Sequence, residues 1–157
     1  MKKINFIERI VLEDKIKLVD ASEEVAESYN QKSKNSLKAA KILLQQELLE
    51  ESVSMAYYSM FHKSLSLFYL IGIKCENHAA VIILLKELFN IENEDIGYVK
   101  KERVDKQYYT DFSVTKDEVI EIIEKAESFI DELEMFINKL HEEDKNNYLA
   151  DFKATYF

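Results

Sequence analysis

Arg103 carries the most specific chemistry in this chain. Arginine occurs only twice, at Arg9 and Arg103, and a guanidinium binds phosphate through two parallel N–H donors. Lys100, Lys101 and Lys106 surround it in sequence, and Tyr108 and Tyr109 follow. Such tyrosines can stack on a base or hydrogen-bond a phosphate. His78, beside the N-cap candidate Asn77, can bind a phosphate or pair with a carboxylate. Each has a plainer role as well. Arg103 can pair with Asp105, Asp111 or an acid on another helix. The lysines can form a solvated face, and the tyrosines can bury their rings with the hydroxyls satisfied. His78 can be structural, and His62 reads as a satisfied buried imidazole.

Other chemistries find no support. The histidines at 62, 78 and 141 lack metal-ligand spacing, so neither a metal nor a cofactor is expected. Ser59 and Ser64 have no histidine placed as a partner. Gly72 and Gly97 are the only glycines, so neither a Walker A loop nor GxGxxG can be written. The single cysteine, Cys75, reads as a small loop residue; it allows no internal disulfide and suits a reducing cytoplasm.

The formal net charge of -9 argues against broad nucleic-acid binding. It leaves the face bearing Lys100, Arg103 and Lys106 as the place for an anionic ligand. Glu8, Arg9, Glu13 and Asp14 interrupt the N-terminal apolar stretch, so no signal peptide is read. The longest apolar run elsewhere, Ala79 to Leu85, is far short of the ~18 residues of a membrane span, and no membrane partner is expected.

These residues need elements to hold them. With no proline and two glycines among 157 residues, turn-rich β folds are excluded. The 47% hydrophobic content supplies a core. Periodicity predicts a short helix over 1–20 and a break at Asp20 to Glu23 with Ser22 as cap. A long helix over 23–48 follows, with the stripe Tyr29, Ser33, Leu37, Ala40, Leu44 and Leu48. A turn is expected at Glu50-Glu51-Ser52, then a helix over 51–71 closed by Gly72. Further helices are predicted over 78–89, 94–109 and 116–140. The last begins at a Thr115–Glu118 capping box and repeats apolar residues from Val119 to Leu140 in a/d fashion. Tyr148, Leu149, Phe152 and Tyr156 predict a short docked helix in the tail. The fold class is all-α: an antiparallel up-and-down bundle of four or five helices with short terminal helical extensions. Residues 1–22 form the N-terminal extension, 23–140 the bundle and 141–157 an aromatic tail, within one domain overall.

Four segments in this order carry a resemblance: Ala56-Tyr57-Tyr58-Ser59-Met60-Phe61-His62; Gly72-Ile73 with His78; Arg103 through Asp111; and Ala126-Glu127-Ser128-Phe129. Over about residues 25–140 the set resembles the HEPN domain family, most of all its small stand-alone prokaryotic branch. The resemblance implies a helical bundle, a homodimer, and either a ribonuclease toxin or a partner of a nucleotidyltransferase-type antitoxin. The family's catalytic signature is Arg-x4–6-His. Arg103 matches the arginine, but the histidine positions hold Tyr108, Tyr109 and Thr110. Tyrosine, with a pKa of about 10, is a poor general base at neutral pH. The expected function is therefore a HEPN-like module of a toxin–antitoxin or defence system with an incomplete nuclease motif. It would bind RNA, a nucleotide or a partner protein through a groove near Arg103. The alternatives are an active metal-independent ribonuclease using Arg103, Tyr108 and His78, and a structural module whose aromatic tail docks onto another chain.

Overall fold

The computed structural model describes residues 5–108 and 113–157, those from 105 to 108 by their backbone alone. Its elements, in chain order, are α1 (Phe6–Leu12), β1 (Ile16–Leu18), α2 (Glu23–Gln45), α3 (Leu49–Ile71), β2 (Ile73–Cys75), α4 (His78–Glu87), α5 (Glu94–Tyr108), α6 (Lys116–Asn138) and α7 (Glu142–Tyr156). The expected all-α bundle is present, with one two-stranded ribbon added.

α3 is the axis of the molecule. It packs along α2 and against α5, α6, α4 and α7. Its sequence explains that position, because Val53, Ala56, Tyr57, Met60, Leu65, Leu67, Phe68 and Ile71 leave almost no polar face and all are buried. Small hydroxyl residues let α2 approach closely. Ser33 Oγ donates to the Ser59 carbonyl at 2.6 Å, and Ser52 Oγ to the Ala40 carbonyl at 2.7 Å. α6 buries Val119, Ile122, Ile123, Ala126, Phe129 and Leu133 against the same core. Lys63 is a buried charge on α3. Its Nζ donates to Asn30 Oδ1 of α2 at 2.7 Å and also to Glu134 of α6, so one ammonium ties three helices together.

The caps follow the sequence. Ser22, Asn77 and Thr115 each accept a backbone N–H in the first turn of their helices. Gly72 sits at φ +99°, a left-handed stop for α3.

Three expectations are corrected. The helix over 1–20 ends at Leu12, because Asp14 takes a left-handed φ of 59°. Ile16-Lys17-Leu18 then pairs antiparallel with Ile73-Lys74-Cys75. Cys75 is accordingly a buried strand residue rather than a loop residue. The turn between the long helices lies at residues 46–48, not at Glu50-Glu51-Ser52, with Glu47 supplying a φ of 60°.

The tail docks on its own bundle. α7 packs on α3 and α1 and buries Phe152 completely, and Tyr156 donates to Glu87 at 2.6 Å. The feature that suggested docking to another chain is thus largely used within this one; Phe157, which follows Tyr156, stays mostly exposed.

Candidate functional site

The site is assembled on two successive turns of α3. Residues four apart on a helix share a face, so Tyr57 stacks with Phe61 and Tyr58 with His62, at centroid distances of 6.1 and 5.8 Å. The chain then stops at Gly72, runs through β2 and starts α4 at His78, one residue after the Asn77 cap. That route lays the His78 ring flat on Phe61 at 4.0 Å and places its Nδ1 2.7 Å from the Tyr57 hydroxyl. From the far side, Arg103 of α5 donates Nη2 to the Tyr58 hydroxyl at 3.0 Å. Its guanidinium carbon lies 5.0 Å from the Tyr58 ring centroid and 5.5 Å from that of Tyr57. Ile96 and Val99, both buried, fix α5 on the core and so set the reach of Arg103.

The electrostatics follow from this packing. Burial pushes the Tyr57 hydroxyl far above the usual phenol range, with Arg103 opposing only in part. Burial, then Arg103 and Lys100, hold the His78 imidazole below its ordinary value. His62 is lowered by burial, with Lys32 and His78 adding to the effect. Both imidazoles are therefore neutral at neutral pH. Two polar atoms are buried without a hydrogen-bond partner among the described residues: Arg103 Nε and His62 Nδ1. The expected satisfied imidazole at His62 is corrected on that atom; the ring lies among those of Tyr29, Tyr58 and Phe61, and Nδ1 has no hydrogen-bond partner among the described residues. An unpaired buried donor on a guanidinium is costly. The arrangement can therefore receive an acceptor-rich anion, with Arg103 and Lys100 for charge and the half-buried Tyr58 beside them.

Of the residues singled out from sequence, the fold brings together Arg103, His78 and Lys100. Tyr109 lies outside the described residues, as do the side chains of Lys106, Tyr108 and Asp105 and the whole of Asp111. Tyr57 and Tyr58 are more than core. One holds His78 and the other holds Arg103; two adjacent tyrosines in a helix, projecting about 100° apart, are the available signal. Ser59 and Ser64 are spent on backbone carbonyls of their own helix, Ala56 at 2.6 Å and Met60 at 2.9 Å. Among the described residues no group of three His, Cys, Asp or Glu could hold a metal ion, and no helix is long and apolar enough to cross a membrane.

Comparison with known proteins agrees with the architecture. The HEPN domain matches residues 26–136. A Methanocaldococcus jannaschii protein named "Putative toxin" is 28% identical over 118 residues, covering 69% of this chain and 85% of that protein. A UPF0332 protein of Pyrococcus horikoshii is 36% identical over 92 residues, covering 59% of this chain and 60% of that one. Another UPF0332 protein, from Thermotoga maritima, is 29% identical over 134 residues, covering 78% of this chain and 98% of its own.

Proposed function

The chain belongs to the HEPN domain family, and on that basis we propose that it is a toxin-like module of a toxin–antitoxin or defence system that binds RNA or a nucleotide at Arg103. One observation carries the reading. In a chain of net charge -9, Arg103 is held by two tyrosines, beside His78, with its Nε buried and without a partner among the described residues. A guanidinium has five donors, and those besides Nε and the Nη2–H given to Tyr58 support anion binding. The name of the Methanocaldococcus relative supports the toxin-like assignment. A homodimer, a nucleotidyltransferase-type antitoxin partner and a cytoplasmic setting belong to the same proposal. So does the division into an N-terminal extension over 1–22, a bundle over 23–140 and a tail over 141–157.

The test is fluorescence anisotropy with a labelled single-stranded RNA of twelve nucleotides and, separately, with adenosine 5′-monophosphate. A charge-assisted hydrogen bond contributes about 1.5–3 kcal/mol, so Arg103→Ala is expected to weaken binding by roughly 10- to 100-fold. Equal affinity of wild type and variant for both probes overturns the reading. A second reading, metal-independent RNA cleavage, draws on the imidazole of His78 beside Arg103. The same RNA, run on a denaturing gel, decides it: cleavage by wild type that is lost in Arg103→Ala replaces binding with catalysis.

A further inference from the structure

We propose that Tyr57 is a positioning residue that fixes His78 as a neutral donor. By occupying Nδ1, its phenol keeps the imidazole proton on Nε2, which is offered to the same phosphate oxygens that Arg103 binds. The inference rests on the anion-binding reading above and deepens it. It gives the ligand class as a phosphodiester or phosphate monoester, and it denies His78 the role of base.

Hydrogen-bond accounting carries the argument. Tyr57 is fully buried, and its hydroxyl has one partner among the described residues, His78 Nδ1 at 2.7 Å. A phenol has one proton to donate. If Nδ1 carried the ring proton, the phenol would have to accept it and would leave its own proton buried with no acceptor among the described residues, at the full desolvation cost. The phenol therefore donates to Nδ1. A neutral imidazole has one proton, so that proton is on Nε2. The charged form, which would protonate both nitrogens, is disfavoured by burial and by Arg103 and Lys100 nearby.

The ring cannot turn easily to escape this assignment. Phe61 lies flat against it at 4.0 Å, and Tyr58 meets it edge-on at 6.4 Å. Nε2 has no partner among the described residues, and it is not one of the buried unpaired atoms. The result is a fixed N–H next to a fixed guanidinium, joined through the adjacent pair Tyr57 and Tyr58. A neutral donor beside a cation adds a hydrogen bond without a second buried charge. An Nε2 that already holds a proton has no lone pair with which to deprotonate a 2′-hydroxyl.

Two readouts test this. Nitrogen-15 NMR of histidine-labelled full-length protein at pH 7.5 reports the tautomer with no ligand present. The expected spectrum for His78 is the Nε2–H form, becoming a mixture of tautomers in Tyr57→Phe. Anisotropy with the twelve-nucleotide RNA then reads the donor. His78→Leu is expected to weaken binding about tenfold, whereas His78→Gln, whose amide places an N–H near the Nε2 position, stays within about threefold of wild type. Thermal melts confirm that each variant is folded. An Nδ1–H tautomer in the wild type overturns the proposal, as does wild-type affinity in His78→Leu. If Arg103→Ala loses RNA while His78→Leu keeps it, Arg103 remains the anion site and His78 loses its role as donor. If wild type binds neither RNA nor nucleotide, both fall together.

Discussion

Replacing Gly72 with alanine sets backbone geometry against a single methyl group. Gly72 closes α3 at φ +99°, a conformation that costs an L-residue about 1–2 kcal/mol. A Cβ there would also stand 2.7 Å from the Val19 carbonyl oxygen. That oxygen cannot simply withdraw, because the Val19 N–H donates to the Gly72 carbonyl at 2.9 Å and the neighbouring Ser22 N–H to Tyr69 at 3.0 Å. Straining one such backbone bond adds about 0.5–1.5 kcal/mol, and together the effects reach roughly 2–3 kcal/mol. For a chain of this size about 1 kcal/mol moves the melting temperature by ~2–4 °C, so Gly72→Ala should melt about 4–12 °C below wild type. The control is the other glycine. Gly97 lies inside α5 with nothing within 4 Å of a Cβ and with an ordinary helical backbone, so Gly97→Ala should gain about 0.5–1 kcal/mol. Urea and thermal unfolding of the three proteins at one protein concentration measure both effects. A Gly72→Ala loss below about 1 kcal/mol, or a Gly97→Ala protein less stable than wild type, overturns this accounting.

Lys63 yields a rank order. Truncating Glu134 to alanine strands a buried ammonium with only Asn30 and should cost about 2–4 kcal/mol, whereas Lys63→Met keeps the apolar stem and leaves Glu134, half-exposed, to water, at about 1 kcal/mol; denaturant midpoints in the reverse order would contradict the packing. The Cys75 thiol, pushed up to about 11 by burial, should resist a chromogenic disulfide reagent in the native protein and react fully once urea unfolds it. His62 and His78 both titrate below the ordinary imidazole value of 6.5 in the folded chain. The unfolded state therefore binds protons first as pH falls, so stability is fully present above about pH 6.5 and declines below it. Urea midpoints across pH 5–8 should show that slope, and a double His62→Phe, His78→Phe variant should flatten it.

What could be read from sequence tracks the length over which a pattern repeats. α6 shows its apolar stripe for more than twenty residues, and Thr115 marks its start; nothing else competes for that reading. The two strands are three residues each. A three-residue alternation such as Ile16-Lys17-Leu18 cannot outweigh the helical spacing of Ile7 and Ile10 just before it. The break at residues 46–48 escapes sequence reasoning because Glu47, not a glycine or asparagine, takes the left-handed angle. At the site, Arg103 and His78 can be picked by type and scarcity. Their union through Tyr57 and Tyr58 cannot, since it depends on where α4 and α5 land across α3. The residues between Phe61 and His78 carry no periodic signal for that placement, only the stop at Gly72.

The ribbon also has a consequence for the order of assembly. Ile16 can meet Cys75 only after the chain between them has folded back on itself, and that chain is the α2–α3 hairpin. The hairpin can form from contacts near in sequence, whereas the strands must wait for it, because loop closure is favourable only once the ends are already close. The clasp therefore records completion of the hairpin. His78 follows β2 by three residues, so the proposed anion site depends on the same closure, and a hairpin that has not closed leaves Tyr57 without the His78 imidazole. Pulse-labelled hydrogen exchange should find the α2 and α3 amides protected before those of Val19 and Ser22.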